Sequence, residues 1–520
     1  MRTKPPRQSR FDRVFLIALL LGSGAGGARP DLARAQIEYD VTIPTTLGDT
    51  TETFWLQIPD DYRPGDPRPL LVGWHQWGGD RFEMRSATTI GAICNERGWI
   101  AASHEGVSPV HWNNHPTQSH VVDVIRWIEE RYCVDPDRIY MVGASMGGAA
   151  GMVFANNHLD PTGPMVAASA SISGIQDCER RFHEQGINNS MIASFGGTPD
   201  QVPFEYHRNS AIFFADSSES MHVNALHLPL YLTFGLGASD QVWRRHAEDL
   251  YAVMAPYADE VVLRESAIAG HGWSCAEEER ICDFLGSFAL DRHPGRISIR
   301  ADEEGRWYWA KIEMREPVGT FARFAGEIDP ALRHFDFFMV SNVASAELDL
   351  PSVGFWPSTG DFTFRWEIQD GMPASLALAG VIAPPALLLR DGCECADWIH
   401  DPARQVLVLF ADGSGHYTVF LDPAEIPSPP LAPPAGSMLE LRSGIDGGIL
   451  AALREEGTFS WGLYDVTGRE LAAARGLWTP AGEIRLDPMS PARSGIYFAR
   501  ATLAARSGVY RTTAKLLILR

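Results

Sequence analysis

The chain has 520 residues, of which 45% are hydrophobic and 21% charged, and its formal net charge is −21 at pH 7. This length predicts two to four domains, and the composition is that of an ordinary globular protein. So acidic a chain excludes nucleic acid and an anionic membrane as expected partners, because both would repel it.

The first 35 residues carry the opposite charge balance, with seven basic and two acidic side chains. Five of the basic residues precede an apolar stretch from Val14 to Leu21, which is too short to span a bilayer. Ala33 and Ala35 then supply small residues at the two positions that a signal peptidase reads. We therefore expect residues 1–35 to be a signal peptide cleaved before Gln36. The protein is expected to be secreted (periplasmic, extracellular or at the cell surface) and not to be an integral membrane protein.

Residues 36–292 alternate between short apolar runs and helical patterns. Strands covered on both faces read as continuous apolar runs, and their alternation with helices predicts an α/β domain with a mostly parallel sheet. In the clearest helix, Val121, Ile125 and Ile128 recur on one face, and Ser119 is a candidate N-cap. The predicted strands are Leu70–Trp74, Trp99–Ser103, Ile139–Val142, Val166–Ile172, Leu230–Phe234 and Val261–Leu263.

The run Gly143-Ala144-Ser145-Met146-Gly147 lies between the apolar run Ile139–Val142 and a segment of small residues. A strand, a G-x-S-x-G turn and a helix in this order are typical of the nucleophile elbow of α/β-hydrolases. The glycines are needed because the turn is too sharp for side chains on either side of the serine. Ser145 is therefore the candidate nucleophile.

A serine hydroxyl needs a histidine to take its proton and an acid to orient that histidine. Asp240 lies on the loop after the strand Leu230–Phe234, and His271 lies between two glycines after Val261–Leu263. Both therefore occupy loops at the ends of late strands, in the order serine, acid, histidine. Asp216 and Asp259 are alternatives for the acid, but neither follows a strand in the same way.

An oxyanion hole requires two backbone N–H groups near the nucleophile. Met146, the residue after Ser145, is the first candidate donor. The second is expected on the loop that follows Leu70–Trp74, where either Gln76 or Trp77 would donate. We expect His75 to brace this loop rather than to take part in chemistry.

The run from Tyr132 to Gly148 and the segment Gly270-His271-Gly272-Trp273 resemble the α/β-hydrolase esterases of the feruloyl esterase and polyhydroxybutyrate depolymerase group. The resemblance covers roughly residues 40–290. It implies Ser145 as nucleophile, Asp240 as acid and His271 as base, acting on a small-molecule or polymeric ester. It also implies that no metal or organic cofactor is required.

The sequence departs from this group in the oxyanion loop, which usually reads His-Gly and here reads His75-Gln76. A side chain in the place of glycine is expected to narrow the acyl site or to shift the donor.

Residues 293–425 lack convincing helical patterns and contain short aromatic or alternating runs separated by Gly, Pro and Asp. This texture predicts a β-sandwich-like module of unknown role. Its aromatic run Trp307-Tyr308-Trp309 has two interpretations: an exposed sugar-binding surface or a packed core. Residues 426–438, which include three closely spaced prolines at 427–430 and two more at 433–434, predict a stiff linker.

Residues 439–520 again read as a β-sandwich. The runs Leu463–Arg469, Ser494–Arg500 and Lys515–Arg520 resemble type IX secretion sorting domains and related FlgD-like immunoglobulin-fold modules. That resemblance implies a sorting or attachment role, with secretion machinery or the cell surface as partner. A purely stabilising module is the alternative.

Seven cysteines fit an oxidising compartment, and an odd number leaves at least one unpaired. Cys275 and Cys282 are close enough in sequence to pair. Cys393 and Cys395, with His400 beyond them, match no zinc spacing well, so buried or disulfide-bonded cysteines are the preferred interpretation.

Taken together, the sequence predicts a secreted serine esterase. Two alternatives stay open at this point. One is a peptidase related to prolyl oligopeptidases, although no propeller-length N-terminal region is present. The other is a surface carbohydrate-binding or adhesive protein whose hydrolase domain is inert.

Overall fold

The computed structural model describes residues 15–16, 37–48, 50–185, 189–237, 240–421, 439–443, 449–453, 456–464, 470–480, 482–486, 495–505 and 508–518. The chain divides into two compact units, Met1–Glu425 and Ile426–Arg520. The predicted signal peptide, apart from two residues, and the predicted linker lie outside the described residues. No helix among the described residues is long and apolar enough to cross a membrane.

The first sheet organises residues 37–292, which we call the hydrolase-fold domain, and also includes one two-residue strand from the first 35 residues. Its strands are β1 (Phe15–Leu16), β2 (Ile37–Pro44), β3 (Thr51–Ile58), β4 (Arg68–Trp74), β5 (Ile100–His104), β6 (Val134–Ala144), β7 (Ala168–Ile172), β8 (Leu230–Leu236) and β9 (Val261–Ala269).

The strand order is β1-β2-β3-β5-β4-β6-β7-β8-β9. From β5 onward every neighbouring pair is parallel, whereas β3 runs antiparallel to both β2 and β5. The exchange of β4 and β5 in the strand order and the reversed direction of β3 define the α/β-hydrolase fold, as the sequence predicts.

Helices cover both faces of this sheet, because successive residues of a strand point to opposite faces. In β6, Ile139 and Met141 join a core with helix α3, whereas Tyr140 and Val142 join a second core with α2 and α9. The helices are α1 (Glu83–Ala87), α2 (Ile90–Glu96), α3 (His115–Glu129), α4 (Ala150–Asn157), α5 (Cys178–Gln185), α6 (Met191–Phe195), α7 (Pro203–Arg208), α8 (Gln241–Met254) and α9 (Glu278–Gly286).

The prediction that Ser119 caps α3 is wrong. The helix begins one turn earlier, where the Asn114 side chain accepts a hydrogen bond from the Thr117 N–H and Pro116 occupies the first turn. Ser119 lies inside the helix and donates to the His115 carbonyl.

Residues 293–421, which we call the β-module, form two sheets that enclose one core. The seven-stranded sheet has the order β10-β13-β14-β16-β22-β18-β19, and the six-stranded sheet has the order β11-β12-β15-β17-β21-β20. The strands are β10 (Arg296–Ala301), β11 (Gly305–Trp307), β12 (Ala310–Met314), β13 (Ala322–Asp329), β14 (His334–Ser341), β15 (Val343–Leu348), β16 (Phe362–Ile368), β17 (Ala374–Ala379), β18 (Leu387–Arg390), β19 (Cys393–Glu394), β20 (Trp398–Asp401), β21 (Val406–Ala411) and β22 (Gly415–Phe420).

Aromatic side chains fill this core, including Trp307, Tyr308 and Trp309, each no more than 3% exposed. The packed-core interpretation of this run is therefore confirmed, and the exposed sugar-binding surface is wrong. The same core contains Leu159, Met165 and Met221 of the hydrolase-fold domain. The Tyr308 N–H also donates to the Leu159 carbonyl at 2.6 Å. The β-module and the hydrolase-fold domain thus share apolar packing.

The second unit is all-β in its described residues. It has a three-stranded sheet of order β23-β24-β27 and a four-stranded sheet of order β26-β25-β28-β29. The strands are β23 (Leu439–Ser443), β24 (Ile449–Leu453), β25 (Gly457–Tyr464), β26 (Glu470–Thr479), β27 (Gly482–Leu486), β28 (Gly495–Ala505) and β29 (Gly508–Ile518).

All seven cysteines are free. Cys275 and Cys282 are buried but unpaired, and Cys393 is exposed. The interpretation of Cys393 as buried or disulfide-bonded is therefore wrong for this structure.

Candidate active site

The turn between β6 and α4 places Ser145 in a strained backbone conformation. Its φ is +55°, in the left-handed region that residues other than glycine seldom adopt. A Cβ atom at Gly143 would collide with the Gly147 carbonyl, and one at Gly147 would lie 2.6 Å from the carbonyl oxygens of Trp74 and His75. Both glycines of the motif are thus required by close backbone approach, and the serine is presented at the tip of the turn.

The structure brings Ser145, His271 and Asp240 together. The Ser145 hydroxyl lies 2.8 Å from His271 Nε2, and His271 Nδ1 lies 2.8 Å from Asp240 Oδ1. Asp240 is fully buried, whereas the His271 side chain is about one-third exposed (32%). This geometry lets the serine donate to the imidazole while the imidazole donates to the carboxylate.

The two alternative acids lie elsewhere. Asp216 caps a short 3-10 turn, and hydrogen bonds from the side chain and the N–H of Ser218 lower the pKa of its carboxyl. Asp259 is exposed and precedes β9. Neither side chain forms a hydrogen bond with His271 in the described structure.

Ser173, which no motif in the sequence marks, positions the acid. It is fully buried with φ +50°, and its hydroxyl donates to Asp240 Oδ2 at 2.8 Å. Ser173 Oγ also accepts a hydrogen bond from the Gly272 N–H at 3.1 Å. Asp240 Oδ2 accepts a second hydrogen bond from the Gly235 N–H at 2.6 Å. Ser173 thus joins the acid to the histidine loop.

Cys275 lies beside this network, with its sulfur 3.5 Å from the Ser173 hydroxyl. Burial raises the pKa of the Cys275 thiol. We therefore expect a neutral thiol at this position, which adds no charge next to Asp240.

The two candidate second donors of the oxyanion hole differ in availability. The Gln76 N–H donates to Glu83 Oε2 at 2.6 Å, so it is already engaged. The Trp77 N–H donates to no group in the described part of the chain. Met146, at the start of the 3-10 turn Ser145–Ala149, is the other expected donor. The geometry therefore favours Met146 and Trp77 over Met146 and Gln76.

Glu83, on α1, is a second residue that sequence reasoning missed. Its carboxylate accepts hydrogen bonds from the Gln76 N–H, from Gln76 Nε2 at 3.0 Å and from Trp273 Nε1 at 3.3 Å. It thereby ties the oxyanion loop to the histidine loop. A Cβ atom at Gly272 would collide with Gln76 Oε1, so the Gln76 side chain packs against the histidine loop.

His75 braces the oxyanion loop, as expected. It is fully buried, with Nδ1 2.7 Å from the Gln76 carbonyl oxygen and Nε2 3.0 Å from the Glu105 carbonyl oxygen. His104 and His111 pack behind it, and burial, reinforced by nearby His75, lowers the pKa of each well below its ordinary value. These two imidazoles are therefore neutral side chains of the loop support.

Aromatic side chains surround the reacting groups. Trp243 packs on the His271 imidazole with ring centroids 4.0 Å apart. Trp77 is 58% exposed, whereas Trp112 is buried in a cluster with Met146, Met191 and Phe195. Indole rings thus contact the His271 imidazole and pack in one cluster with Met146, the residue after Ser145.

Comparison with known proteins gives structural similarity alone. No protein-family model matches the sequence. No curated protein matches it either. Many solved structures resemble the chain, and three of them illustrate the similarity, each over about half of this chain.

Among them, FphF, a fluorophosphonate-binding serine hydrolase of Staphylococcus aureus, has 14% identity and a TM-score of 0.38, covering 48% of this chain and 98% of that chain. The acetyl xylan esterase from Paenibacillus sp. R4 has 15% identity and a TM-score of 0.37, covering 50% and 87%. A ferulic acid esterase has 13% identity and a TM-score of 0.38, covering 48% and 97%. The assignment of the hydrolase fold rests on strand order and local geometry in the chain itself.

Proposed function

We propose that this protein is a serine hydrolase that cleaves carboxylic esters through an acyl-enzyme. The observation that carries the proposal is the relay of 2.8 Å contacts from the Ser145 hydroxyl through His271 to the buried Asp240. The position of Ser145 at a strained turn between a strand and a helix supports the same proposal.

The reaction begins when Ser145 Oγ attacks the ester carbonyl carbon and His271 Nε2 takes the hydroxyl proton. Asp240 holds the imidazole in the tautomer that leaves Nε2 free, and it stabilises the imidazolium that forms. The N–H groups of Met146 and Trp77 donate to the developing oxyanion. His271 then protonates the departing alcohol, and a water molecule, activated by the same imidazole, releases the acid and regenerates Ser145.

We further propose that the protein acts outside the cytoplasm, on the basis of the charged and apolar pattern of residues 1–35. The β-strand pattern of residues 439–520 supports a sorting or attachment role for the second unit. Feruloyl, acetyl and polyester-type esters are the substrate classes that the sequence resemblance favours.

The test is hydrolysis of p-nitrophenyl acetate, p-nitrophenyl butyrate and methyl ferulate by the purified protein and by Ser145→Ala. We expect turnover that disappears in the variant, together with fluorophosphonate labelling of the wild-type protein alone. An N-acyl peptide p-nitroanilide in the same assay distinguishes an esterase from a peptidase. If the folded wild-type protein showed no turnover and no labelling, the proposal would be overturned in favour of an inert binding protein.

A further inference from the structure

The hydroxyl of Ser190 receives hydrogen bonds from two tryptophans. Trp112 Nε1 donates to Ser190 Oγ at 2.7 Å, and Trp77 Nε1 donates to the same oxygen at 3.0 Å. Ser190 is half-buried and precedes α6, whose Met191 is fully buried against Trp112 and Met146. The three side chains form one fixed unit, which we call the Trp77–Ser190–Trp112 clamp.

This arrangement determines where the serine proton points. A hydroxyl has two lone pairs and one hydrogen, and an indole N–H only donates. Because both lone pairs of Ser190 Oγ accept an indole N–H, its own O–H is directed away from both rings. In the described part of the chain no acceptor takes that proton, so the hydroxyl can donate to a bound molecule.

The clamp lies beside the proposed oxyanion donors. Trp77 contributes the backbone N–H that we assign to the oxyanion hole. The Trp112 N–H lies 3.4 Å from Met146 Sδ, and Asn113 Nδ2 donates to the Met146 carbonyl at 2.8 Å. The clamp thus contacts the oxyanion loop through Trp77 and Met146 through Trp112, so the free O–H lies near the two proposed oxyanion donors.

The backbone around Trp112 is held in an unfavourable conformation. Trp112 and Asn113 both have positive φ, +49° and +55° respectively, like Ser145 itself. Two successive left-handed residues of this size persist only where the surrounding contacts determine them. The positions of the Trp112 indole and of Ser190 are therefore set before any ligand binds.

We propose that Ser190 determines specificity in the proposed esterase, by donating a hydrogen bond to an oxygen atom that the substrate carries close to the scissile ester. The preferred substrates are esters whose acyl or alcohol part bears an ether or hydroxyl oxygen, rather than the alkyl esters of the same shape. The proposal rests on the proposed function, since it concerns substrates of the same site.

The test uses substrates that differ only by exchange of CH₂ for oxygen. One pair is p-nitrophenyl methoxyacetate and p-nitrophenyl butanoate, which differ on the acyl side. The other pair is 2-methoxyethyl acetate and butyl acetate, which differ on the alcohol side. Each kcat/KM is divided by the rate constant for hydroxide-catalysed hydrolysis of the same ester, which removes intrinsic reactivity.

We expect the wild-type protein to prefer the oxygen-bearing ester in at least one pair by about 3- to 10-fold, as one hydrogen bond would give. Ser190→Ala should reduce that ratio to about 1. Ser190→Thr, which retains a hydroxyl, should keep it. Ser194→Ala is the matched control, because the Ser194 hydroxyl donates to the Val110 carbonyl at 2.7 Å and should not affect the ratio.

Absence of a preference in both wild-type pairs, or a preference that survives in Ser190→Ala, would overturn the assignment of Ser190. If either result were obtained while turnover still depended on Ser145, the proposed esterase activity would stand. Failure of the proposed function is distinguishable, because none of the four esters would then be hydrolysed faster by the wild-type protein than by Ser145→Ala.

Discussion

The hydrolase-fold domain and the β-module differ in the polar side chains that they bury. Among the described residues, every buried polar or charged side chain except Asp302 belongs to residues 37–292. The β-module instead buries stacked rings, such as Phe364 between Phe335 and Tyr417 with centroid distances of 4.7 and 4.6 Å. The single exception, Asp302, faces the hydrolase-fold domain, where it pairs with Arg208 at 2.5 Å.

This difference separates the roles of the two regions. Buried polar groups are costly unless every partner is in place, but they hold reacting groups in fixed positions. Buried aromatic rings contribute stability through apolar area and need few partners. Substitutions of the buried polar side chains in the first region should therefore change turnover, and substitutions of the buried rings in the second should change the free energy of unfolding.

The largest expected effect concerns the buried acid. Asp240→Asn should lower kcat by about 10⁴-fold, because an amide no longer selects the reactive tautomer of His271. The melting temperature should change little by comparison. Asp216→Asn, at an exposed aspartate outside the relay, is the control and should leave kcat unchanged. Near-normal turnover of Asp240→Asn would show that another group orients the histidine.

The next largest effect should appear in the β-module. Phe364→Ala is expected to lower the free energy of unfolding by about 3–5 kcal/mol, since it leaves a cavity between two stacked rings. Urea unfolding measures this change, and kcat per folded molecule should be unaltered. Phe410→Ala removes the same atoms from a side chain that is 52% exposed, so it should cost far less. A large fall in kcat with little loss of stability would contradict the separation of roles.

A smaller effect should follow from Ser173→Ala, which removes one hydrogen bond to the Asp240 carboxylate. A hydrogen bond to a charged group contributes about 1.5–3 kcal/mol, so kcat should fall by roughly 10- to 100-fold. The control is Ser169→Ala in β7, the strand that ends just before Ser173, where the buried Ser169 hydroxyl has no hydrogen-bond partner in the described structure. Equal behaviour of the two variants would remove Ser173 from the group of positioning residues.

Much of the fold was predictable because local pattern and tertiary structure agree in the hydrolase-fold domain. Apolar runs such as Leu230–Phe234 and Val261–Leu263 fall inside strands β8 and β9. The elbow and both loops that carry Asp240 and His271 follow from glycine placement at strand ends. The start of α3 was not predictable from Ser119, because Asn114 and Pro116 compete as earlier cap residues and prevail.

The residues that position the catalytic groups could not be predicted from the sequence, for a different reason. Ser173 meets Asp240 from 67 residues away, and Ser190 meets Trp77 from 113 residues away. No periodicity or spacing marks contacts of this separation. Glu83 follows Gln76 by only seven residues, yet its role depends on Trp273, which the histidine loop brings near it. Such residues become visible only when the sheet has assembled the loops.

The apolar core that the β-module shares with Leu159, Met165 and Met221 bears on how this chain can be divided and recombined. Truncation near residue 292 would expose these three side chains to solvent and leave an apolar, aggregation-prone surface on the hydrolase-fold domain. A transplantable cassette must therefore contain residues 37–421 as a whole. For gene shuffling or the design of fusion proteins, the junction should therefore be placed after the β-module rather than before it.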